Sequence, residues 1–323
     1  MKERDILRPG IIIFSALLFV AIDSFIYFRY TRRLENHFGK EMISSSINLS
    51  EYQPFDPDSK IVKVQATDEQ KFHDGDFLPV LDGATSLFPV YSAVFNSLYP
   101  EEACKFDGME FDPASLLQKR NTSGAFKALN SGDADIIFCA TPSEKQLEEA
   151  RASGIELSMT PIGYEAFVFL VNEKNPVESL SVQEVKDIFS GKISRWSEVG
   201  GDKSCISALI RPEGSGSQTA MLSFMGDEKI APKNDAYSGR TIGYSFRFYV
   251  QGIVGSRGIK LLKLDGVYPS KENIRNGSYP VVSNFYAITR SEDKDNPSVK
   301  KIIDFILSPA GQNLVEQSGY VEL

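Results

Sequence analysis

The chain has 323 residues, of which 42% are hydrophobic and 24% are charged, and its formal net charge is −8. This length is enough for about two domain-sized units with a real hydrophobic core, and the composition excludes a disordered chain, a collagen-like repeat or a coiled coil. The acidic balance argues against a nucleic-acid-binding protein, which normally carries a basic face to neutralise phosphates. Two histidines and three cysteines leave little material for a zinc site or a disulfide framework.

The first forty residues have the pattern of a targeting segment. An apolar run from Ile11 to Phe28, interrupted by Asp23 and two serines, has basic residues on both sides. Its length suits a membrane-spanning helix, which needs about 17–25 residues, better than the apolar region of a cleaved signal, which has about 7–15. Residues 1–40 are therefore predicted to be a single-pass transmembrane signal anchor at the cell membrane, with the folded part extracytoplasmic; secretion after signal cleavage is the alternative. Residues 41–60, rich in Ser, Asp and Pro, are predicted to be a linker.

The rest of the chain alternates between strand and helix patterns. Helical spacing of apolar residues occurs at 87–98, 185–189 and 299–307. Four short apolar runs have the character of buried strands: Ile136–Ala140, Ala166–Val171, Ile206–Ile210 and Tyr286–Thr289. This alternation predicts an α/β fold with a mainly parallel sheet that is covered on both faces.

Three segments place small hydroxyl residues and glycine directly before a helical run. They are residues 83–86 (GATS, loop one), 121–124 (NTSG, loop two) and 211–217 (RPEGSGS, loop three). The first turn of a helix has unpaired backbone N–H groups and the positive end of the helix dipole, so three such turns that converge would form an anion site. Arg211 would add a bidentate, charged contact to a tetrahedral oxyanion. The alternative is that these residues are ordinary helix caps.

Longer segments around these loops resemble a known family. DGATSLFPVYSAVF, TSGAFKALNSGDADIIF, LSVQEVKDIFSGKISRWSEVGG, RPEGSGSQTAM and DGVYPSKENIRNGSYP are similar, in this order, to segments of the phosphate-binding proteins of ABC transporters. That family lies within the type II periplasmic-binding-protein, or solute-binding, superfamily. The resemblance extends over about residues 78–323.

The resemblance implies a two-lobed α/β fold in which the ligand lies in the cleft between the lobes and the cleft closes by a hinge motion. We expect lobe one to comprise residues 61–164 and 286–323, and lobe two to comprise residues 165–285. The two crossing segments are expected near Glu165–Val171 and Val281–Ile288.

The family's ligand contacts can be carried over position by position. The resemblance implies that the binding residues are Thr85 and Ser86 in loop one, Thr122 and Ser123 in loop two, and Arg211, Ser215, Gly216 and Ser217 in loop three. It further implies that Glu213 holds Arg211 by a salt bridge.

One position departs from the family pattern. Phosphate-binding members carry an aspartate after the second strand that accepts the proton of hydrogen phosphate and thereby rejects sulfate. That position falls on Ala140 in this chain. The resemblance therefore implies an anion site whose phosphate-over-sulfate selectivity is in doubt.

The cysteines and histidines add no site. Cys139 lies within an apolar strand and is expected in the core. Cys104 and Cys205 could pair outside the cell, but their spacing does not decide it. His37 and His73 are expected at the surface.

The most favoured function is therefore capture of an inorganic oxyanion, phosphate first, for uptake through an ABC permease in the membrane. Such a protein is not an enzyme, and it needs no cofactor and no metal. One alternative is a tethered sensor or scaffold that keeps the fold with another ligand or none. A phosphoester hydrolase is a weaker alternative, because the chain offers neither a nucleotide P-loop nor a Gly-x-Ser-x-Gly nucleophile with a nearby histidine.

Overall fold

The computed structural model describes residues 51–108, 110–231, 240–255 and 258–323. The anchor predicted at residues 1–40, with His37, and the first ten residues of the predicted linker lie outside these ranges. Within them, none of the helices combines the length and the apolar character that crossing a bilayer demands.

The described chain contains nine strands and eight α-helices. The strands are β1 (Leu81–Gly83), β2 (Ile136–Ala140), β3 (Leu157–Asn172), β4 (Ser179–Leu180), β5 (Ser207–Ala208), β6 (Thr241–Phe246), β7 (Ile259–Leu261), β8 (Lys263–Leu264) and β9 (Val282–Arg290). The helices are α1 (Phe88–Leu98), α2 (Asn121–Ser131), α3 (Glu144–Ala152), α4 (Val182–Ser190), α5 (Gly216–Met225), α6 (Lys271–Arg275), α7 (Pro297–Leu307) and α8 (Pro309–Gln317). Short 3₁₀ turns and one π-helical segment (Tyr249–Val254) complete the list.

Seven of the strands form one sheet in the order β1-β2-β9-β3-β6-β5, with β7 also paired to β3. The prediction of a mainly parallel sheet is wrong. Parallel pairing joins β1 to β2 and β5 to β6, whereas β9 is antiparallel to both of its neighbours and β3 is antiparallel to β9, β6 and β7. The reason is that β3 and β9 are long strands that run through the middle of the sheet in opposite directions, which a short apolar pattern does not reveal. The mixed α/β class itself is confirmed.

Strand β3 divides the sheet into two halves. From Leu157 to Ala166 it pairs with β9, and from Phe167 to Val171 it pairs with β6. We call β1, β2, β9 and the first part of β3 the first half-sheet, and the second part of β3 with β5, β6 and β7 the second half-sheet. The change of partner lies inside the crossing segment expected near Glu165–Val171.

A buried ion pair stands at this change of partner. The Glu165 carboxylate accepts hydrogen bonds from Arg247 Nε (3.1 Å), Ala166 N (2.9 Å) and Phe248 N (3.1 Å). Arg247 Nη2 donates to the carbonyl oxygen of Gly319 at 2.6 Å. Burial raises the pKa of Glu165, against the guanidinium and the two N–H groups that favour the carboxylate. The pair therefore fixes β3, the end of β6 and the segment after α8 to one another.

Helices from distant parts of the sequence cover the first half-sheet. One hydrophobic cluster contains most of α1 together with apolar residues of α7 and α8, and Tyr320. The backbone of Val321 exchanges two hydrogen bonds with Tyr164, at 2.7 and 3.1 Å. The helical spacing read at residues 87–98 and 299–307 is thereby confirmed, because its apolar residues face this core, with the exception of Leu307 at the helix end, which is 41% exposed.

The described end of the predicted linker is not a linker. Tyr52 and Ile61 are 7% and 2% exposed, and both belong to the same hydrophobic cluster as α1. Phe55 packs against that cluster, with its ring centroid 6.1 Å from that of Phe95. The Ser, Asp and Pro content of residues 51–60 reflects turns on the surface of the core, between which single aromatic side chains are buried.

The three cysteines are unpaired. Cys139 is fully buried in β2, as predicted, whereas Cys104 is half-buried and Cys205 is exposed, and all three thiols are free. The possible pair of Cys104 and Cys205 is therefore not formed. His73 is exposed, and its Nε2 lies 2.9 Å from the carbonyl oxygen of Asp68.

Candidate functional site

A buried aspartate ties loop one to loop two. Asp82 is the residue before loop one, and its carboxylate accepts hydrogen bonds from the backbone N–H of Gly83 (2.7 Å) and of Arg120 (2.9 Å). Its other oxygen accepts from Arg120 Nη1 at 2.9 Å. Arg120 is the N-cap residue of α2, so one carboxylate fixes the starts of both loops. Burial raises the pKa of Asp82, and the hydrogen bonds and charge of Arg120 oppose that rise.

Loops two and three approach one another closely. A methyl group added to Gly216 would lie 3.3 Å from Thr122 Oγ1, and one added to Gly214 would lie 3.7 Å from Ser123 Oγ. Loop two lies between β1 and β2 of the first half-sheet, and loop three follows β5 in the second half-sheet. The structure therefore brings together the starts of α2 and α5, two of the three turns whose convergence the anion-site hypothesis requires.

Arg211 is held by its backbone and has buried side-chain nitrogens without partners. Its N–H donates to Gln218 Oε1 (3.1 Å) and to Tyr244 Oη (3.0 Å), and the Tyr244 hydroxyl donates to the same Gln218 oxygen. Burial raises the pKa of Tyr244 to about 12. Arg211 Nε and Nη1 are buried, and no described group accepts a hydrogen bond from them. A buried N–H without an acceptor is costly, so this geometry calls for an acceptor that comes from outside the chain.

The three loops differ in their side-chain capping. Ser215 is the N-cap of α5, and its Oγ accepts from Gln218 N at 3.2 Å. The N-cap of α2 is Arg120, and the 3₁₀ turn Thr85–Leu87 follows Ala84; neither cap residue supplies a side-chain hydrogen bond. The hydroxyls of loops one and two are therefore not used as N-caps. In loop two, Asn121 Oδ1 accepts from the N–H of Gly124 at 3.2 Å instead, so the capping alternative holds for Asn121 and not for the hydroxyls.

Glu213 does not hold Arg211. Its carboxylate is 3.2 Å from Lys145 Nζ, and its side chain is 79% exposed. The expected salt bridge is wrong because Glu213 points to solvent, where it meets the first turn of α3. The structure instead positions Arg211 through Gln218 and Tyr244.

A cavity of about 1130 Å³ begins at these loops. Ser123, Gly214 and Gly216 line it, and so do Ala140 at the end of β2 and the adjacent Thr141. Ala140 pairs with Phe285 of β9, whose neighbours Ser283 and Asn284 also line the cavity. The position of the aspartate in the phosphate-binding family is therefore occupied in this chain by the methyl group of Ala140, on the cavity wall.

Loop one is linked to loop two through Asp82 and Arg120, and its contacts differ from those of the other two loops. Thr85 and Ser86 are half-buried in the 3₁₀ turn that leads into α1. The carbonyl oxygen of Ser86 accepts a hydrogen bond from Tyr320 Oη. Neither residue lines the cavity, and their link to loop two runs through Asp82 and Arg120.

Sequence reasoning missed the residues that position the loops. Asp82, Glu165 and Gln218 are buried polar residues that fix Arg120, Arg247 and Arg211, respectively. A signal existed for two of them, because Asp82 and Glu165 are single carboxylates next to or inside apolar runs, and such groups are almost never buried without a partner.

Replacing Ser215 by alanine is expected to lower the free energy of unfolding by about 1 kcal/mol, because α5 loses its side-chain cap. Ser217→Ala is the matched control, since Ser217 lies inside the first turn and does not cap the helix. Urea unfolding followed by circular dichroism measures both. Equal stabilities of the two variants would contradict the capping role of Ser215.

No metal site accompanies these loops. Across the ranges that the structure describes, no three His, Cys, Asp or Glu side chains are grouped so as to hold a metal ion.

Comparison with known proteins identifies the type of fold. A family model for a PBP superfamily domain matches residues 80–310. The phosphate-binding protein PstS of Borreliella burgdorferi is 25% identical over 182 residues, which cover 50% of this chain and 64% of the relative. Protein SphX of Synechococcus elongatus is 24% identical over 270 residues, which cover 76% of this chain and 77% of the relative. The match to PstS of Bacillus subtilis, at 26% identity, also covers 64% of that protein. The chain thus spans about two thirds of the length of these relatives.

Two solved structures have the same fold. A Clostridium perfringens protein, described as a putative phosphate ABC transporter substrate-binding protein with bound phosphate, superposes with a TM-score of 0.59 at 24% identity, covering 75% of this chain and 98% of that one. An ABC-type phosphate transport receptor from Vibrio cholerae superposes with a TM-score of 0.55 at 18% identity, covering 75% and 99%. The two-lobed α/β architecture is therefore confirmed.

Proposed function

We propose that this chain, which belongs to the PBP superfamily, captures an inorganic oxyanion, phosphate first, and presents it to an ABC permease. The observation that carries the proposal is Arg211, whose Nε and Nη1 are buried beside the start of α5 and have no acceptor among the residues that the structure describes. The guanidinium offers parallel N–H donors whose spacing matches two oxygens of a tetrahedral oxyanion. Binding such an anion would satisfy donors that the folded chain leaves unpaired.

The proposed site surrounds the anion with neutral donors and one cation. Backbone N–H groups at the starts of α2 and α5 favour negative charge, and hydroxyls next to them add neutral hydrogen bonds. The Ser215 hydroxyl accepts from Gln218 N, which leaves its hydrogen available to the anion. The proposed ligand-binding residues are Thr85, Ser86, Thr122, Ser123, Arg211, Ser215, Gly216 and Ser217.

The proposed site has few groups that could accept a hydrogen bond from a protonated oxyanion. The nearby buried carboxylates of Asp82 and Glu165 are each occupied by an arginine and two backbone N–H groups. At the cavity wall, the Ala140 side chain is a methyl group, and Thr141 offers only a neutral hydroxyl. The one carboxylate within the three loops, Glu213, pairs with Lys145 and points to solvent. Loops with abundant donors and no free carboxylate among them accept a fully deprotonated oxyanion as readily as a protonated one. We therefore expect weak discrimination between phosphate and sulfate.

The membrane arrangement belongs to the same proposal. Relatives carry the names of phosphate-binding proteins. Solute-binding proteins of this kind act outside the cytoplasm, and they are not enzymes. We propose that residues 1–40 tether the folded part to the membrane, next to the permease. Residues 61–164 with 286–323 would form one lobe and residues 165–285 the other, in keeping with the change of partner of β3 after Ala166.

Calorimetry on the ligand-stripped protein tests the proposed function. Titrations with phosphate, sulfate, arsenate and molybdate should show binding of phosphate and measurable binding of sulfate. Since a ligand that binds only the folded state stabilises it, phosphate at about 100 times Kd should raise the free energy of unfolding by about 2.7 kcal/mol. If no oxyanion binds, the proposal fails, and a sensor or scaffold with another ligand takes its place.

A further inference from the structure

The cavity that starts at loops two and three is much larger than an inorganic oxyanion. Its volume of about 1130 Å³ lies just above the range for sites that hold whole organic ligands, about 300–1,000 Å³, whereas phosphate has five heavy atoms. It continues from Gly216 along α5 to Ser223 and Phe224, and on the opposite wall along α3 to Glu149. The space beyond the loops is therefore a second compartment, bounded by α3 and α5.

The compartment between α3 and α5 is open although its two walls already touch at one end. Lys145 of α3 forms an ion pair with Glu213 of loop three at 3.2 Å. Thr122 Oγ1 lies within van der Waals reach of a methyl group placed on Gly216. The walls therefore contact one another at the anion end and at the first turn of α3, and the volume along α5 is open in the same structure.

A buried amide donor in the compartment wall has no partner. Gln146 lines the cavity, is 5% exposed, and its Nε2 is buried without a hydrogen bond. Its Oε1 accepts from the backbone N–H of Ser143 at 2.8 Å, which fixes the orientation of the amide. The unpaired atom is therefore a donor, and a ligand oxygen would satisfy it.

The charges of the compartment favour an uncharged organic group. Lysines and glutamates occur in equal number along its wall: Lys127, Lys145, Lys186, Glu144, Glu149 and Glu213. Their charges balance, and the remaining wall combines hydroxyls such as those of Thr219 and Ser223 with the ring of Phe224. Hydroxyl and amide groups beside an aromatic ring suit a hydroxylated carbon chain or ring.

We propose that the cleft binds a phosphate monoester of a small polyol or sugar. The phosphoryl group occupies the site formed by Arg211 and loops two and three, and the organic group lies between α3 and α5. One of its oxygens accepts a hydrogen bond from Gln146 Nε2. This proposal rests on the proposed oxyanion site and names the ligand class for it.

Calorimetry with inorganic phosphate and with glycerol phosphate tests the proposal on the full chain. Glycerol phosphate should bind at least about tenfold more tightly than phosphate, the effect of one additional hydrogen bond with some buried apolar surface. Gln146→Glu should remove most of this difference, because its added charge repels both anions whereas only glycerol phosphate also loses the Nε2 donor. Glutamate keeps the side-chain oxygen that accepts from the backbone N–H of Ser143, so the start of α3 is preserved. It lacks only the Nε2 donor.

A second variant tests the compartment by volume. Ala220 lines the cavity on α5, and Ala220→Trp should fill the space and abolish glycerol phosphate binding while phosphate still binds. Glycerol phosphate that binds no more tightly than phosphate, or a Gln146→Glu variant that weakens both ligands equally, would overturn the proposal. Failure of both ligands to bind the unmodified chain would overturn the oxyanion site as well, whereas phosphate binding alone would leave that site standing.

Discussion

Replacing Arg211 by alanine is expected to weaken phosphate binding by about 1.5–3 kcal/mol or more, which is about a tenfold to hundredfold rise in Kd. The reason is that Arg211 is the charged donor of the proposed site, and its buried Nε and Nη1 have no acceptor within the described chain. A hydrogen bond to a charged group contributes more than one between neutral groups. Calorimetric titration with phosphate measures the change.

Two further variants make this result specific. Arg151→Ala removes an exposed arginine at the end of α3 and should leave Kd unchanged. Thr122→Ala removes a neutral hydroxyl and should weaken binding less than Arg211→Ala does. The fold of the Arg211 variant should persist, because Gln218 and Tyr244 bind the backbone of residue 211 rather than its side chain. An Arg211 variant with unchanged Kd would rule out the site assignment.

Replacing Glu165 by alanine is expected to lower the free energy of unfolding by about 3–5 kcal/mol, since it leaves a buried guanidinium unpaired. The side chains of Glu165 and Arg247 are 4% and 8% exposed. The variant would also lose the acceptor for the backbone N–H groups of Ala166 and Phe248. Urea unfolding at neutral pH measures the effect.

An exposed ion pair in the same molecule provides the control. Lys300 and Asp304 pair at 2.8 Å on α7, with side chains 61% and 59% exposed. Asp304→Ala should change stability by less than about 0.5 kcal/mol, because water screens such pairs. If the Glu165 and Asp304 variants lost similar stability, the ion pair at the partner change of β3 would not be the anchor described above.

Local chemistry was readable from the sequence because it depends on neighbouring residues. The hydroxyl and glycine residues of loops two and three do begin helices, and β2 has the bounds Ile136–Ala140 that its apolar run predicts. Arg211 next to loop three was recognisable for the same reason. What such patterns contain is the start of each element and the type of side chain that it presents.

Pairings between distant residues were not readable in this way. Asp82 and Arg120 are 38 positions apart, and Glu165 and Arg247 are 82 apart, so no local period links them. The pairing of Glu213 with Lys145 instead of Arg211 depends on where α3 lies, which only the folded chain decides. The sense of each strand depends in the same way on the path of its connections, and for that reason the sheet is mixed rather than mainly parallel.

The core of the first half-sheet has a consequence for biosynthesis. Apolar residues of α1 pack with those of α7, α8 and Tyr320, and Tyr164 of β3 pairs with Val321. A ribosome adds residues in order, so the partners of α1 are made more than two hundred residues after it. The core of the first half-sheet therefore cannot be completed, and the apolar face of α1 remains exposed, until residue 321 has left the ribosome. Folding of this half therefore depends on its last helices, and a chain stalled before α7 would be a substrate for chaperones rather than a smaller folded protein.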